Sequence, residues 1–195
     1  MYIKSGIVIV FIGILAWLLF GFLGVQALFM DQTVNEEVPA VAMGSAQPSL
    51  IDTPSQTTST KTGENPRPGV EQTATRTPRI IAQGTFQQGD TTYSIHGEAV
   101  VTEENGVRTL SLVNFDVTNG PDLFVYITNA QGTDNLTVKE AVRNHQFTLL
   151  RTLKGNRGNQ TYTIPEDVKL DGQSLVTIWC RRFSRHFGSA PLEMK

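Results

Sequence analysis

Cysteine occurs once, at Cys180, among 195 residues. A lone thiol excludes an intrachain disulfide framework and any multi-cysteine zinc knot. Histidine is nearly as scarce: His96, His145 and His186 are scattered without metal-ligand spacing. No serine nucleophile elbow, phosphate-cradling glycine loop or paired histidine on a helix occurs, so hydrolytic chemistry has no constellation to work with. Charge of one sign is also lacking. Between Arg79 and Lys195 twelve lysines and arginines meet twelve aspartates and glutamates. A neutral domain lacks the footprint of a nucleic-acid binder, so no nucleic-acid partner is expected.

Two further absences divide the chain. Gly6 to Met30 carries no charge. About 20 apolar residues span a bilayer core as a helix, so 6–30 is expected to be a transmembrane signal-anchor. Lys4 precedes it, while Asp31, Glu36 and Glu37 follow. Positive residues stay cytoplasmic, which places residues 1–5 inside and the remainder outside. The alternative is a cleaved signal peptide ending at Val25-Gln26-Ala27. Both readings export the rest; the first gives a single-pass protein of the cell membrane with an extracytoplasmic C-terminal domain. From 31 to 78 there is no Phe, Trp or Tyr, and six of the nine prolines lie here. Such a stretch buries too little apolar surface to offset ordering entropy. It reads as a disordered stalk with a root-mean-square span of roughly 40 Å.

Residues 79–195 suffice for one self-standing core. Short strand-like runs dominate: "IIAQGTF" (80–86), "YSIHGEAVV" (93–101), "RTLSLVNFDV" (108–117), "DLFVYIT" (122–128), "FTLLRTL" (147–153), "QTYTI" (160–164) and "SLVTIWC" (174–180). Asn105-Gly106 supplies the pair that a tight hairpin turn requires. In 122–128, Leu123, Val125 and Ile127 face one way and Phe124 and Tyr126 the other, which predicts a strand covered on both sides. "NLTVKEAVRN" (135–144) fits one or two helical turns. The fold expected is all-β or mainly β: an antiparallel sandwich or barrel-like domain, after one transmembrane helix and a stalk.

Two stretches hold candidate chemistry. "LKGNRGNQ" packs Lys154, Gly155, Asn156, Gly158, Asn159 and Gln160 into what reads as one turn between strands, either a ligand-contacting loop or a structural turn. In "SLVTIWC", alternation puts Val176, Ile178 and Cys180 on one face and Leu175, Thr177 and Trp179 on the other. An aliphatic row favours a core thiol. Against that, Arg181, Arg182, Arg185 and His186 follow at once, and nearby cations stabilise a thiolate. Arg182 is the arginine that alternation places beside the sulfur.

"NGPDLFVYIT", "LKGNRGNQTYTIP" and "VTIWCRRFSRHFGSAPL" together resemble the DM-thirteen domain family, described as an electron-transfer domain and related in architecture to the DOMON cytochrome-like domains. The resemblance runs from about Ile80 to Leu192. It implies a compact β-sandwich-like domain with the Cys180 position as redox centre; Trp179, Arg182 and His186, neighbours in this chain, are the supporting candidates read from the residues themselves. It marks Gly120, Pro121, Asp122, Lys154, Gly155, Asn156, Gly158, Asn159 and Gln160 as family loop positions. Arg185 and His186 stand where the family usually carries an aliphatic residue. A thiolate can ligate haem iron, with His186 the nearest candidate to complete the pair. Without a two-cysteine attachment motif any haem would be non-covalent. The expected function is thus a membrane-anchored, extracytoplasmic redox or electron-transfer module with a redox partner protein. The alternative is a non-catalytic, surface-displayed module that binds a protein or a cell-surface polymer.

Overall fold

The computed structural model describes residues 2–18, 30–43 and 77–195. Its elements are α1 (Tyr2–Trp17), α2 (Ala40–Met43), β1 (Arg79–Thr85), β2 (Gln87–Gln88), β3 (Ile95–Glu104), β4 (Val107–Val117), β5 (Leu123–Asn129), α3 (Asn135–Arg143), β6 (Phe147–Thr152), β7 (Arg157–Ile164), β8 (Ser174–Cys180), β9 (Arg185–Pro191) and β10 (Glu193–Met194). Two five-stranded antiparallel sheets pack as a sandwich, in the orders β10-β1-β3-β4-β7 and β2-β9-β8-β5-β6. The chain turns from one sheet to the other at Phe86, between β1 and β2, and again at Leu192, between β9 and β10. Both corner residues are buried, so the strands bend around apolar pivots.

The inter-sheet core takes one face of each strand, including Val101, Leu110, Leu112, Phe115, Val125, Val176, Ile178 and Phe187. The alternation expected for 122–128 holds. Leu123, Val125 and Ile127 enter this core, whereas Phe124 and Tyr126 join Trp179 on the outer face of the second sheet. Helix α3 covers another part of that outer face through Val138 and Ala141 against Leu175 and Ala130. Its first turn is capped by the Asp134 carboxylate, which accepts from the Leu136 and Thr137 amides. Asn105 and Gly106 turn the β3–β4 hairpin with φ of 50° and 82°, the left-handed pair that the dipeptide predicts.

Three features differ from the sequence reading. Residues 185–191 form a strand, β9, although "RHFGSAP" carries no regular alternation; a register shift between Ile178 and Trp179 against β9 disrupts the period. The glycine- and asparagine-rich stretch is a short loop at 153–156 that passes between the sheets, and Arg157 to Gln160 already belong to β7. Turn-forming residue types misled here because Gly158, at φ 91°, and Asn159 sit where β7 matches an irregularity in β4.

The third difference concerns the stalk. Residues 30–43, read from composition as disordered, lie against the domain. Thr33 bridges Arg157 in parallel, the Val34 amide donates to the Arg157 carbonyl at 2.9 Å, and the Glu36 amide to the Asn159 carbonyl at 3.0 Å. This strap covers the open edge of β7. It then crosses the outer face of the first sheet, where Ala42 packs on Val100 and Val113. Composition misjudged it because the segment borrows backbone partners and two small apolar contacts from the domain and needs no aromatic of its own. Residues 44–76 of the expected stalk lie outside the described residues.

The expected transmembrane helix falls partly on residues 19–29, which also lie outside them. Among the described residues no helix is long and apolar enough to cross a membrane. Helix α1 has 16 residues, and its apolar side chains from Val10 to Trp17, including Phe11 and Ile14, are exposed.

Candidate functional site

The three stretches that carry the family resemblance meet at one end of the sandwich. Asp122, at the start of β5, accepts the Arg181 amide at 3.0 Å through its carbonyl, and its carboxylate lies 3.7 Å from the Arg181 guanidinium. The Leu153 amide donates to the Leu123 carbonyl at 2.9 Å, which joins the second stretch to the first. Between them lies a cavity of about 450 Å³ lined by Gly120, Pro121, Leu123, Leu153, Gly155 and Asn156, with Met30, Asp31 and Gln32 of the strap along one wall. Gly120 is needed for close approach: a Cβ there would stand 2.8 Å from Leu123 and 3.0 Å from Phe187.

Cys180 ends β8 beside this cavity but does not line it. Its cross-strand neighbour Leu123 does. The cysteine is 1 % exposed and belongs to the inter-sheet core, the face that alternation assigned to it. Burial pushes the thiol above its ordinary value, and the charge of Asp122 adds to the push. Backbone hydrogen bonding at Phe183, Arg182 and Asp122 works the other way without reversing it. The nearby arginines therefore do not produce a low-pKa thiolate. Arg181 lies with its guanidinium 4.4 Å over the Phe124 ring on the outer face, and Arg182 stands in the exposed β8–β9 turn. Phe183, at the tip of that turn, is 53 % exposed.

Trp179 and His186 face away from the sulfur. They pair across β8 and β9; Trp179 packs with Phe124 and Tyr126 on the outer face. His186 is fully buried, its Nε2 2.8 Å from the Ser189 hydroxyl, which lies 2.8 Å from that of Thr177. Its Nδ1 has no hydrogen-bond partner, and Gly89 leaves just enough room for the ring: a Cβ there would come within 2.4 Å of that nitrogen. Burial pulls the imidazole down to about 4, so it is neutral at physiological pH. Cys180 and His186 thus occupy opposite faces of one sheet and cannot act as a ligand pair. No histidine lines the cavity, and among the described residues no cluster of three His, Cys, Asp or Glu could hold a metal ion. The side chains suggested for haem do not fit it.

The second family stretch does work that the sequence left open. Gln160 is fully buried and closes the 153–156 loop: its Oε1 accepts from the Tyr162 hydroxyl at 2.8 Å and its Nε2 donates to the Gly155 carbonyl at 2.7 Å. Asn159 accepts the Asn114 amide at 2.9 Å, where Asn114 sits at φ 49° beside the β4 irregularity. The other members face the strap. Asn156 accepts the Gln32 amide at 2.6 Å and donates to Asp31 at 3.0 Å. Lys154 donates to both Glu36 carboxylate oxygens, at 2.7 and 2.8 Å. Partial burial opposes the Glu36 charge, but the bonds from Lys154 and Thr161 outweigh it and hold the carboxyl below its ordinary value. The signal that would have revealed this arrangement is the pairing of acidic 31–37 with basic 154–157, separated by more than a hundred residues.

Residues 85–192 match the family described as "Electron transfer DM13". No curated protein and no solved structure matches the chain.

Proposed function

This chain belongs to the DM13 electron-transfer family, and on that premise we propose that it is a membrane-anchored, extracytoplasmic electron-transfer module with Cys180 as its oxidisable group. The observation that carries the reading is the meeting of the three family stretches at one end of the sandwich, where the first two line a cavity and Cys180 of the third pairs with Leu123 in its wall. The anchoring part is supported by the uncharged run from Gly6 to Met30 and by the exposed apolar side chains of α1, which water solvates poorly.

The burial of the sulfur defines the chemistry available to it. Its thiol stays protonated near neutral pH, so removal of an electron must also release a proton. A docked redox partner protein takes the electron, and the proton leaves to solvent through local opening. The β8–β9 turn that follows Cys180 is exposed, with Phe183 at its tip, and is the surface we assign to a redox partner protein. Slow, gated exchange with a docked partner follows, in contrast to the fast chemistry of a free thiolate.

The test is a titration of the full chain in lipid nanodiscs with redox mediators, counting reducing equivalents per chain. Wild type is expected to exchange electrons, and Cys180→Ala and Cys180→Ser are both expected to lose that exchange. Variants that exchange as wild type does would remove the cysteine from the account. A silent wild type would favour the second reading, a displayed binding module, which the sealing of Cys180 away from the cavity also supports.

A further inference from the structure

We propose that the edge of β7 and the loop before it form a strand-binding site for extended acidic segments, and that residues 31–37 occupy it as a ligand in cis. Three kinds of contact define the site. Backbone bonds run both ways: the Val34 and Glu36 amides donate to Arg157 and Asn159, and the Arg157 amide donates to the Gln32 carbonyl at 3.3 Å. Such a ladder recognises an extended chain of any sequence. Two side-chain sockets then add specificity. The first receives Asp31, which meets Asn119 at 2.9 Å, Asn156 at 3.0 Å and Arg157 at 2.7 Å; Arg157 also holds Asp116 at 3.1 Å. The second receives Glu36, which accepts from Lys154, from the Thr161 amide and from the Thr161 hydroxyl, the last two at 2.8 Å. The ligand chemistry is therefore a β-strand with carboxylates five residues apart.

Glycines supply the third contact. A Cβ on Gly155 would stand 2.3 Å from the Gln32 carbonyl oxygen, and one on Gly158 would stand 2.0 Å from that of Val34. Both positions admit the strap backbone only as glycine. Gly158 has a second reason in its φ of 91°, whereas Gly155 is accounted for by the approach.

The site and its occupant are separable. Lys154 to Thr161 lie within the family match, 85–192, and the strap precedes it. The loop closes on itself through Gln160 and Tyr162 without help from residues 31–37. A socket complete in the domain and filled by a segment outside it is a binding site with a tethered ligand, open to exchange with another acidic strand.

The experiment uses the full chain in nanodiscs and a fluorescent peptide of residues 30–38, read by anisotropy. Wild-type chain, with its own strap seated, is expected to bind the peptide weakly. Glu36→Lys, which places like charges together at the Lys154 socket, is expected to bind it at least about tenfold more tightly, following mass action at a vacated site. Adding Lys154→Glu restores the cis pair with reversed signs and should abolish the gain. Gly158→Val in the Glu36→Lys chain should abolish it too; if that variant does not fold, the charge-reversal pair decides. The proposal is overturned if the Glu36→Lys chain binds the peptide no better than a scrambled sequence, or if it and wild type bind equally.

Discussion

At the scale of single residues, two buried groups make opposite demands on pH. His186 is held neutral down to about 4, against an ordinary value of 6.5. The unfolded chain takes up a proton below 6.5 that the folded chain refuses. Stability is therefore complete above that pH and declines as pH falls from 6.5 to about 4, by roughly 3 kcal/mol in all. Urea unfolding at a series of pH values checks this: the stability difference between wild type and His186→Gln should vary across the window and be flat above it. For Cys180 the shift runs upward, so its stabilising effect is lost only as pH rises past the ordinary thiol value. At pH 7.5 a soluble alkylating reagent should label native chain about two orders of magnitude more slowly than chain in denaturant, because attack needs both ionisation and local opening. Equal rates would contradict the burial. The sequence predicted the core-facing side of Cys180 because alternation is a local property. Alternation placed Trp179 on the opposite face for the same reason, but it did not predict that His186 joins it there, since the shift in β8–β9 register sets that.

At the scale of elements, the corners govern. Gly84 lies where β1 passes the end of β9, and a Cβ there would meet the Pro191 carbonyl oxygen at 1.9 Å. Ala at this position must push the two sheets apart. Gly84→Ala is expected to destabilise the domain by about 2 kcal/mol or more, within the range for overpacking in a close contact, and chemical denaturation measures it. Gly106→Ala tests a different cost, because a Cβ there meets nothing and only the φ of 82° resists it. It should cost about 1 kcal/mol. Hairpins such as β3–β4 were legible in the sequence because turn and strands are contiguous. β9 and the two sheet-switching corners were not, because they depend on which strands become neighbours across the sandwich. The 153–160 stretch was located correctly and given the wrong shape. Its asparagines and glycines serve a strand irregularity and a docked segment, and residue type alone does not separate these uses from a turn.

At the scale of the whole molecule, the strap changes what the stalk can do. A disordered 31–78 would let the domain wander roughly 40 Å from its anchor. With 31–37 seated on β7, the seated segment begins directly after the uncharged run 6–30, so no free stalk separates the proposed anchor from the domain. On the proposed anchoring, the cavity end, with Met30 and Asp31 in its wall, is then held toward the membrane. Exchange of the strap for another acidic strand would free the domain and uncover that end. Binding at the β7 edge and access to the cysteine's end of the sandwich are thereby linked through one segment. The Glu36 carboxyl, held below its ordinary value, favours the seated strap above that value, and this contribution is lost as the pH falls through the lowered one.

Hydrogen exchange on the full chain in nanodiscs, resolved to single amides at pH 7, tests this arrangement most directly. The Val34 and Glu36 amides should exchange slowly in wild type and much faster in Glu36→Lys, with the central amides of β4 and β8 unchanged in both. Exchange of Val34 and Glu36 at free-peptide rates in wild type, while β4 and β8 remain protected, would show that residues 31–37 are not part of the folded domain.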